Sequence, residues 1–331
     1  MVIKILFVRP FKSSFIQKDL ELLQKHYEVK VVDFEEFNLN HLTKIPKIII
    51  ETVLGIIWAD VSFSWFCDYH SYLAVKLSKF LKKKSVVIIG GYDVLQMPEI
   101  GYGALLNPKF HRILNYVLKN ADEILSFSQD GAENAHKYFS GSKIEVIYLG
   151  LEQINYKKLN KENLVITTAY VKESNLKRKG LETFVRTAEY LPNTNFVLIG
   201  PHIDDSIEYL KSIAHSNVKF TGFISDEELF DYYKKAKVYV QVSAHEGFGL
   251  AMAEAMSCEC IPVVTDRGAI KEVVGPTGLY VEYENPKETA NAIKKALKSD
   301  KGKTAKMRIE NLFKIKNREE LLIKHLTDLK K

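Results

Sequence analysis

Short apolar runs rich in valine and isoleucine alternate along the chain with longer stretches that carry apolar residues at helical spacing. The runs are nearly continuous, which is typical of parallel strands buried on both faces of a sheet. Strands are predicted at 2–8, 28–33, 60–64, 85–89, 123–127, 144–147, 164–168, 195–199, 217–221, 237–241, 261–264 and 278–281. Helices are predicted between them, at 15–26, 70–82, 108–119, 181–190, 226–235 and 249–257.

These strands outnumber what one open sheet usually holds. We therefore predict an α/β protein with two doubly wound, Rossmann-like domains that face each other across a cleft. A glycine breaks the sixth strand in V-I-Y-L-G-L-E (146–152), and a polar stretch follows it. The predicted organisation is a first domain at 1–152, a second at 153–302, and a basic amphipathic helix at 303–331 that could pack back on the first domain.

Composition narrows the class of protein. With 331 residues, 46% hydrophobic and 27% charged, the chain is neither disordered nor collagen-like. The most apolar stretch, 45–66, is interrupted by charged residues and is a poor transmembrane candidate. The start of the chain reads as a strand rather than a signal peptide. Three cysteines, Cys67, Cys258 and Cys260, cannot build a disulfide framework, so a cytoplasmic location is expected.

The positive charge is local. The net charge is +6, while residues 294–331 hold 13 Lys and Arg against 5 Asp and Glu. No arginine-rich run or nucleic-acid signature accompanies them, so no nucleic-acid partner is predicted. Two interpretations of this tail and of the basic stretch 71–84 stay open. In the first, the two basic segments touch an anionic membrane at its cytoplasmic surface as a peripheral contact. In the second, which is favoured, they cover a sheet and expose their lysines to solvent.

The segment S-A-H-E-G-F-G-L-A-M-A-E-A-M (243–256) carries two acids eight residues apart, Glu246 and Glu254. Glu246 is expected in the loop after a strand, and Glu254 on the helix that follows. Between them, the backbone amides of Phe248, Gly249 and Leu250 lie at the start of that helix, where free donors and the helix dipole favour an anion. Gly247, like Gly249, lets the backbone approach a ligand closely.

This arrangement suits a diphosphate with a hydroxyl-rich group at each end. Carboxylates only accept hydrogen bonds, so each can bind a vicinal diol. We expect Glu254 to bind a ribose diol and Glu246 a sugar. The alternative is a loop with one solvated acid and a second acid on a helix face.

The same segment, with Pro262-Val263-Val264 and G-A-I-K-E-V-V (268–274), resembles the E-x7-E signature of the retaining family 4 glycosyltransferases with the GT-B fold. The resemblance extends over nearly all of the second half and is weaker in the first half. It implies that Glu246 contacts the donor sugar near the reacting carbon and that Glu254 binds the nucleotide ribose. It also implies that the amides of 248–250 hold the β-phosphate.

The resemblance further implies two cations beside the leaving diphosphate. Lys179-Gly180 in Y-V-K-E-S-N-L-K-R-K-G matches the family's Lys-Gly. The usual arginine position is Tyr170, which is a departure from the pattern. Arg178 is expected to supply the second cation, with Lys172 and Lys177 as alternatives.

On the acceptor side the departures are larger. Arg9 follows the first strand in place of a Gly-Gly loop, and Gly90 stands where relatives have a histidine. Asp93 and His70 complete the candidate acceptor-side residues. A lone histidine is more often structural.

The predicted function is metal-independent transfer of a hexose, with retention, from a nucleotide-diphosphate sugar to a carbohydrate or lipid-linked hydroxyl. No cofactor is expected. Two alternatives stay open: a nucleotide-sugar epimerase of the same architecture, and a non-catalytic subunit that binds a nucleotide sugar.

Overall fold

The computed structural model describes residues 2–35, 45–139, 141, 143–153 and 160–329. The chain divides into two compact units, one of Met1–Leu149 with Lys316–Lys331 and one of Gly150–Ile315. Each unit contains a six-stranded sheet in which neighbouring strands run parallel. The prediction of two doubly wound α/β sheets is therefore confirmed.

The first unit is built around strands β1 to β6 in the order β2-β1-β3-β4-β5-β6. Its strands are β1 Lys4–Arg9, β2 Glu28–Asp33, β3 Val61–Trp65, β4 Lys84–Ile89, β5 Glu123–Ser126 and β6 Ile144–Val146. Its helices are α1 Ser14–His26, α2 Ile45–Trp58, α3 Tyr69–Phe80, α4 Pro108–Asn120 and α5 Gln129–His136, with short 3-10 turns at Tyr92–Val94, Pro98–Ile100 and Ala104–Leu106.

The second unit has the order β12-β11-β10-β7-β8-β9. Its strands are β7 Glu162–Thr168, β8 Asn195–Ile199, β9 Val218–Phe220, β10 Ala236–Gln241, β11 Ile261–Thr265 and β12 Leu279–Val281. Its helices are α6 Glu173–Arg178, α7 Leu181–Thr187, α8 Ser206–Ile213, α9 Asp226–Lys235, α10 Leu250–Ser257, α11 Ile270–Val274, α12 Pro286–Leu297 and α13 Gly302–Leu312, with 3-10 turns at Ala188–Tyr190 and Gly275–Thr277.

The strand order reverses in the middle of the second sheet. The chain runs outward from β7 through β8 to β9, then returns so that β10 pairs with β7 on its other side. Open parallel sheets bind ligands at such a switch point, in the crevice outside the carboxyl ends of the two central strands. The loops after β7 and β10 are therefore where this unit presents its chemistry.

The C-terminal segment differs from its prediction. Two helices, α13 and α14 (Ile315–Leu329), replace the single helix expected over 303–331. The break lies where Leu151 donates its N–H to the Phe313 carbonyl and accepts the N–H of Ile315. Because these groups pair with a crossing segment, they cannot continue a helical ladder.

Helix α14 belongs to the first unit and is anchored by a buried ion pair. The Arg318 guanidinium donates to both carboxylate oxygens of Asp19, at 2.6 and 2.7 Å, and also to the carbonyls of Ile147 and Tyr148. Arg318 and Asp19 are 3% and 1% exposed. Each of the three guanidinium nitrogens thus donates to an oxygen, and such hydrogen bonds are what a buried charge requires.

Candidate active site

The switch point of the second sheet brings together two side chains that lie 67 residues apart in sequence. Lys179, just after α6, donates from Nζ to Oε1 of Glu246 at 2.6 Å. Glu246 stands in the loop after β10 and is 7% exposed. The two residues predicted to be catalytic are therefore adjacent, and they form a largely buried ion pair.

Three donors converge on one oxygen of the Glu246 carboxylate. Besides Lys179, Gln241 Nε2 and Ser243 Oγ donate to Oε1 at 3.0 and 2.8 Å. Burial acts to raise the pKa of Glu246, but Lys179 and Arg178 outweigh it and hold the pKa below its ordinary value. The acid is therefore an oriented carboxylate at neutral pH.

Backbone contacts fix the two loops against each other. Ala244 donates its N–H to the Arg178 carbonyl at 2.8 Å. Gly180 has a φ of +64°, and a Cβ at this position would lie 2.1 Å from the Val242 carbonyl oxygen. The glycine after Lys179 is thus required by the close approach of the loop after β10.

Replacing Gly180 by alanine is expected to destabilise the protein more than the same change at Gly222. Both glycines have a left-handed φ, +64° and +71°, but nothing lies within 4 Å of a Cβ at Gly222. Gly222→Ala should cost about 1–2 kcal/mol of unfolding free energy for the conformation alone. Gly180→Ala adds a steric overlap that only a backbone shift can relieve. Urea denaturation of both variants measures the difference, and equal losses would contradict the close approach.

Arg178 is held by a residue that the sequence reading missed. Asn175, 2% exposed, accepts from Nε and Nη2 of Arg178 at 3.1 and 2.6 Å and donates to the Tyr170 carbonyl. The positive charge of Arg178 contributes to the low pKa of Glu246. Tyr170, at the family's arginine position, is 60% exposed.

Helix α10 begins at Leu250, after Gly249 in the left-handed conformation at φ +84°. Its first amide groups have no acceptor within the helix. The neighbouring Phe248 side chain is 3% exposed and makes an edge contact with Phe313, with ring centroids 5.5 Å apart. Gly247 links this anchored turn to Glu246, so the acid and the helix terminus form one continuous segment.

Glu254 lies on α10 and is mostly buried. Burial raises its pKa to about 7, the Asp226 carboxylate acts in the same direction, and the Tyr233 hydroxyl opposes them. The two acids of the motif therefore differ: Glu246 is held ionised by cations, whereas Glu254 exchanges its proton near neutral pH.

The acceptor-side candidates lie in the first unit, and each is engaged with protein groups. Arg9, 6% exposed, donates to both carboxylate oxygens of Asp33 and to Gln17. His70, 2% exposed, bonds through Nε2 with the Trp65 carbonyl at 2.6 Å, and burial lowers its pKa.

Asp93 joins the loops after β3 and β4. Its carboxylate accepts from the backbone N–H of Cys67 and Gly91, both at 2.9 Å, and from Gly90 at 3.3 Å. Burial raises its pKa to about 6 although these amides stabilise the ionised form. The Asp93 side chain therefore holds two loops together at the C-terminal ends of β3 and β4.

Gln241 and Ser243 are further site residues that sequence reasoning missed. A weak signal was present: Gln241 ends β10, which is mostly apolar, and Ser243 follows two residues later. Cys258 and Cys260 are buried free thiols.

Comparison with known proteins identifies the class. Residues 153–314 match the family model described as glycosyl transferases group 1. This part of the chain is therefore a glycosyltransferase group 1 domain, and the prediction of a glycosyltransferase is confirmed at that level.

Two relatives illustrate the match. The chain is 25% identical, over 71% of its length and 67% of the relative's, to the N-acetylgalactosamine-N,N'-diacetylbacillosaminyl-diphospho-undecaprenol 4-alpha-N-acetylgalactosaminyltransferase of Campylobacter jejuni. It is 31% identical to the alpha-galactosylglucosyldiacylglycerol synthase of Streptococcus pneumoniae, over 30% of this chain and only 28% of that enzyme.

Solved structures show the same fold. A glycosyltransferase from Rickettsia africae superposes with a TM-score of 0.78 at 15% identity, over 99% of this chain and 98% of the other. Anabaena Alr3699/HepE in complex with UDP and glucose gives 0.75 at 17% identity, over 98% and 100%. The predicted GT-B fold class is thereby confirmed.

Proposed function

We propose that this protein transfers a sugar, with retention of anomeric configuration, from a nucleotide-diphosphate sugar to a hydroxyl of a glycan or lipid-linked acceptor. The observation that carries the proposal is the Lys179–Glu246 pair beside the start of α10, at the switch point between β7 and β10. At this sheet edge, the cation and the backbone amides can bind the diphosphate of such a donor, and the carboxylate can bind the hydroxyls of its sugar.

The diphosphate is the part of the donor that these residues recognise. The amides of Phe248, Gly249 and Leu250 bind the β-phosphate, and the dipole of α10 adds to their attraction. Lys179 leaves Glu246 to contact the phosphate, and Arg178 supplies the second cation. Negative charge grows on the leaving oxygen as the sugar departs, so fixed cations and amides lower the barrier without a metal ion.

The two acids bind the two ends of the donor. Glu246 accepts hydrogen bonds from the sugar near the reacting carbon, and Glu254 accepts from the ribose diol. This proposal involves no covalent bond between the sugar and the enzyme. The acceptor attacks on the face the phosphate leaves, and the leaving phosphate takes the acceptor proton.

The acceptor class follows from the named relatives, which act on a diphospho-undecaprenol-linked sugar and form a glycolipid. We therefore propose a hexosyl transfer to a lipid-linked or glycan hydroxyl at the cytoplasmic side of a membrane.

The test incubates the full chain with UDP-, GDP- and ADP-sugars, with and without short-chain lipid-linked and oligosaccharide acceptors. The proposal predicts a product that needs an acceptor, keeps the anomeric configuration of the donor by NMR, and forms at an equal rate with EDTA. An inverted anomer would reject retention. An epimerised donor formed without acceptor would identify an epimerase instead.

The pH dependence of donor binding tests Glu254 separately. Its pKa of about 7 in the free protein means that acidification protonates the acceptor of the ribose diol. Nucleotide-sugar affinity should fall up to about tenfold for each pH unit below that pKa and level off above it. An intact nucleotide sugar is the right probe, since its diphosphate does not titrate in this range. Calorimetric titrations from pH 5.5 to 8 on wild type and Glu254→Gln measure this, and the variant should show a flat profile.

Glu254→Gln is expected to weaken donor binding above pH 7 but to increase the free energy of unfolding. The folded pKa of Glu254 lies above the ordinary value of 4.5, so the folded state loses stability as pH rises from 4.5 through about 7. Glu254→Gln should therefore be more stable than wild type at pH 8, by about 3 kcal/mol at most, and similar at pH 4.5. Lower stability of the variant at pH 8 would contradict the buried carboxylate.

A further inference from the structure

Helix α2 (Ile45–Trp58) is apolar on its outer face as well as its inner face. Ile56 on the inner face is 1% exposed, whereas Ile50, Leu54 and Ile57 are 57%, 59% and 54% exposed. Positions i, i+4 and i+7 lie on one side of a helix, so these three side chains form a continuous stripe. A helix that is apolar all round is normally covered on every side.

Lysines surround the C-terminal end of this stripe. Lys4 and Lys30 place their Nζ atoms 5.5 and 4.2 Å from the centre of the Trp58 ring. Lys83 donates to the carbonyl of Ala59, at 2.7 Å. Because α2 ends at the amino edge of the first sheet, this basic group lies opposite the carboxyl edge of that sheet.

The end of α3 adds an exposed aromatic ring to the same region. Phe80 is 82% exposed and lies between the exposed Lys79 and Lys82. Helices α2 and α3 pack on the same face of the sheet, where Trp58 and Leu81 contact one core cluster. Lys79 turns away from α2, since its Nζ donates to Asn120 at the end of α4. We call the stripe, Phe80 and the four lysines Lys4, Lys30, Lys82 and Lys83 the α2 face.

We propose that the α2 face docks on a bilayer surface that contains anionic phospholipids. Among the described residues, no helix is both long and apolar enough to cross a membrane. With 14 residues, α2 is about 21 Å long, against about 30 Å of hydrocarbon. Apolar side chains with aromatic rings and lysines at their border are the features of a helix that lies in the interface.

Charge favours lipid over a second copy of this chain as the occupant. The acid on α2, Glu51, is paired with Lys47 at 3.8 Å, and near Trp58 the carboxylate of Asp60 accepts the backbone N–H of Lys4. The remaining charges of the α2 face are those of its lysines. A two-fold dimer would bring the same patch of both copies together and so bring lysines near lysines. Anionic headgroups instead neutralise each lysine near the surface.

Flotation with vesicles gives the first measurement. The full chain is expected to float with vesicles of phosphatidylcholine and phosphatidylglycerol, and to bind pure phosphatidylcholine at least about tenfold more weakly. No turnover is needed, so the result is independent of the proposed glycosyl transfer, and failure of either leaves the other standing.

Tryptophan fluorescence shows which face binds. The chain has two tryptophans, of which Trp65 is fully buried and Trp58 borders the stripe. Lipids with brominated chains should quench the emission of wild type, and the quenching should disappear in Trp58→Phe. Binding with no quenching of Trp58 would place the contact elsewhere and overturn the proposal.

Variants at exposed positions separate binding from folding. Ile50→Gln/Leu54→Gln/Ile57→Gln should reduce vesicle affinity by at least about tenfold, since three apolar side chains no longer enter the interface. The matched control changes three apolar residues of the second unit that are at least as exposed, Ile203→Gln/Phe223→Gln/Met307→Gln, at 60%, 79% and 59%. The control should bind vesicles like wild type.

The role of the lysines is tested by comparing Lys30→Glu/Lys82→Glu with the control Lys294→Glu/Lys295→Glu on α12. All four lysines are exposed. The first pair should lose binding to anionic vesicles by about tenfold or more, and the second should keep it. Equal loss in both pairs would mean a non-specific charge effect and would overturn the proposal. So would a stable dimer by light scattering that the glutamine triple variant converts to monomer.

Discussion

Glu246→Gln is expected to slow sugar transfer by about 10²–10³-fold while nucleotide-sugar affinity changes little. Glutamine keeps an oxygen that can accept from Gln241 and Ser243, so the loop after β10 retains its shape. What it loses is the negative charge beside the reacting sugar and opposite Lys179. Steady-state rates with the donor and acceptor found in the screen, together with donor affinity by calorimetry, measure the two effects separately.

Glu227→Gln is the matched control, because Glu227 is an exposed acid on α9 in the same unit. It should transfer sugar at the wild-type rate. If Glu246→Gln also kept the wild-type rate, the role proposed for Glu246 would have to be abandoned.

Lys179→Ala is expected to weaken donor binding and to slow transfer by a similar factor of about 10²–10³. The lysine neutralises the leaving diphosphate, so its loss removes an interaction that grows in the transition state. The variant also leaves Glu246 buried without its closest counter-ion, which should lower the unfolding free energy by about 3 kcal/mol. Transfer rates, donor titration and urea denaturation provide the three readouts.

Two controls isolate the ion pair. Lys211→Ala removes a lysine from the Lys211–Glu208 pair, 2.9 Å long but solvent-exposed, and should change stability by less than about 1 kcal/mol. The double variant Lys179→Ala/Glu246→Gln should lose less unfolding free energy than the sum of the two single losses, since neither partner then leaves the other's charge unpaired. Strict additivity would indicate that the two side chains do not interact.

The strands were predictable because parallel, doubly covered strands consist of unbroken valine and isoleucine runs, as in V-V-I-I of β4. Helix α2 was not assigned, because I-P-K-I-I-I-E-T-V-L-G-I-I-W has no polar face whose period would mark it as a helix. The break between α13 and α14 was also missed. It depends on a backbone pairing with Leu151, and such a contact leaves no local pattern.

The two loops of the site were predictable from the sequence, but the contact between Lys179 and Glu246 was not. The spacing of Glu246 and Glu254 and the Lys-Gly at 179–180 pointed to the two loops. That Lys179 lies on Glu246 follows from the strand order, which puts β7 beside β10. The contrasting pKa values of the two acids depend on the surrounding charges and burial, which a one-dimensional pattern does not contain.

The most direct test of the crevice between β7 and β10 is a thermal-shift titration of the full chain with UDP, GDP and ADP. We predict that at least one nucleotide stabilises the wild type, by about 2.7 kcal/mol at a hundredfold excess over its dissociation constant. The same nucleotide should stabilise Lys211→Ala equally and Lys179→Ala much less. No stabilisation by any of the three, or equal stabilisation of Lys179→Ala, would contradict a diphosphate site at this sheet edge.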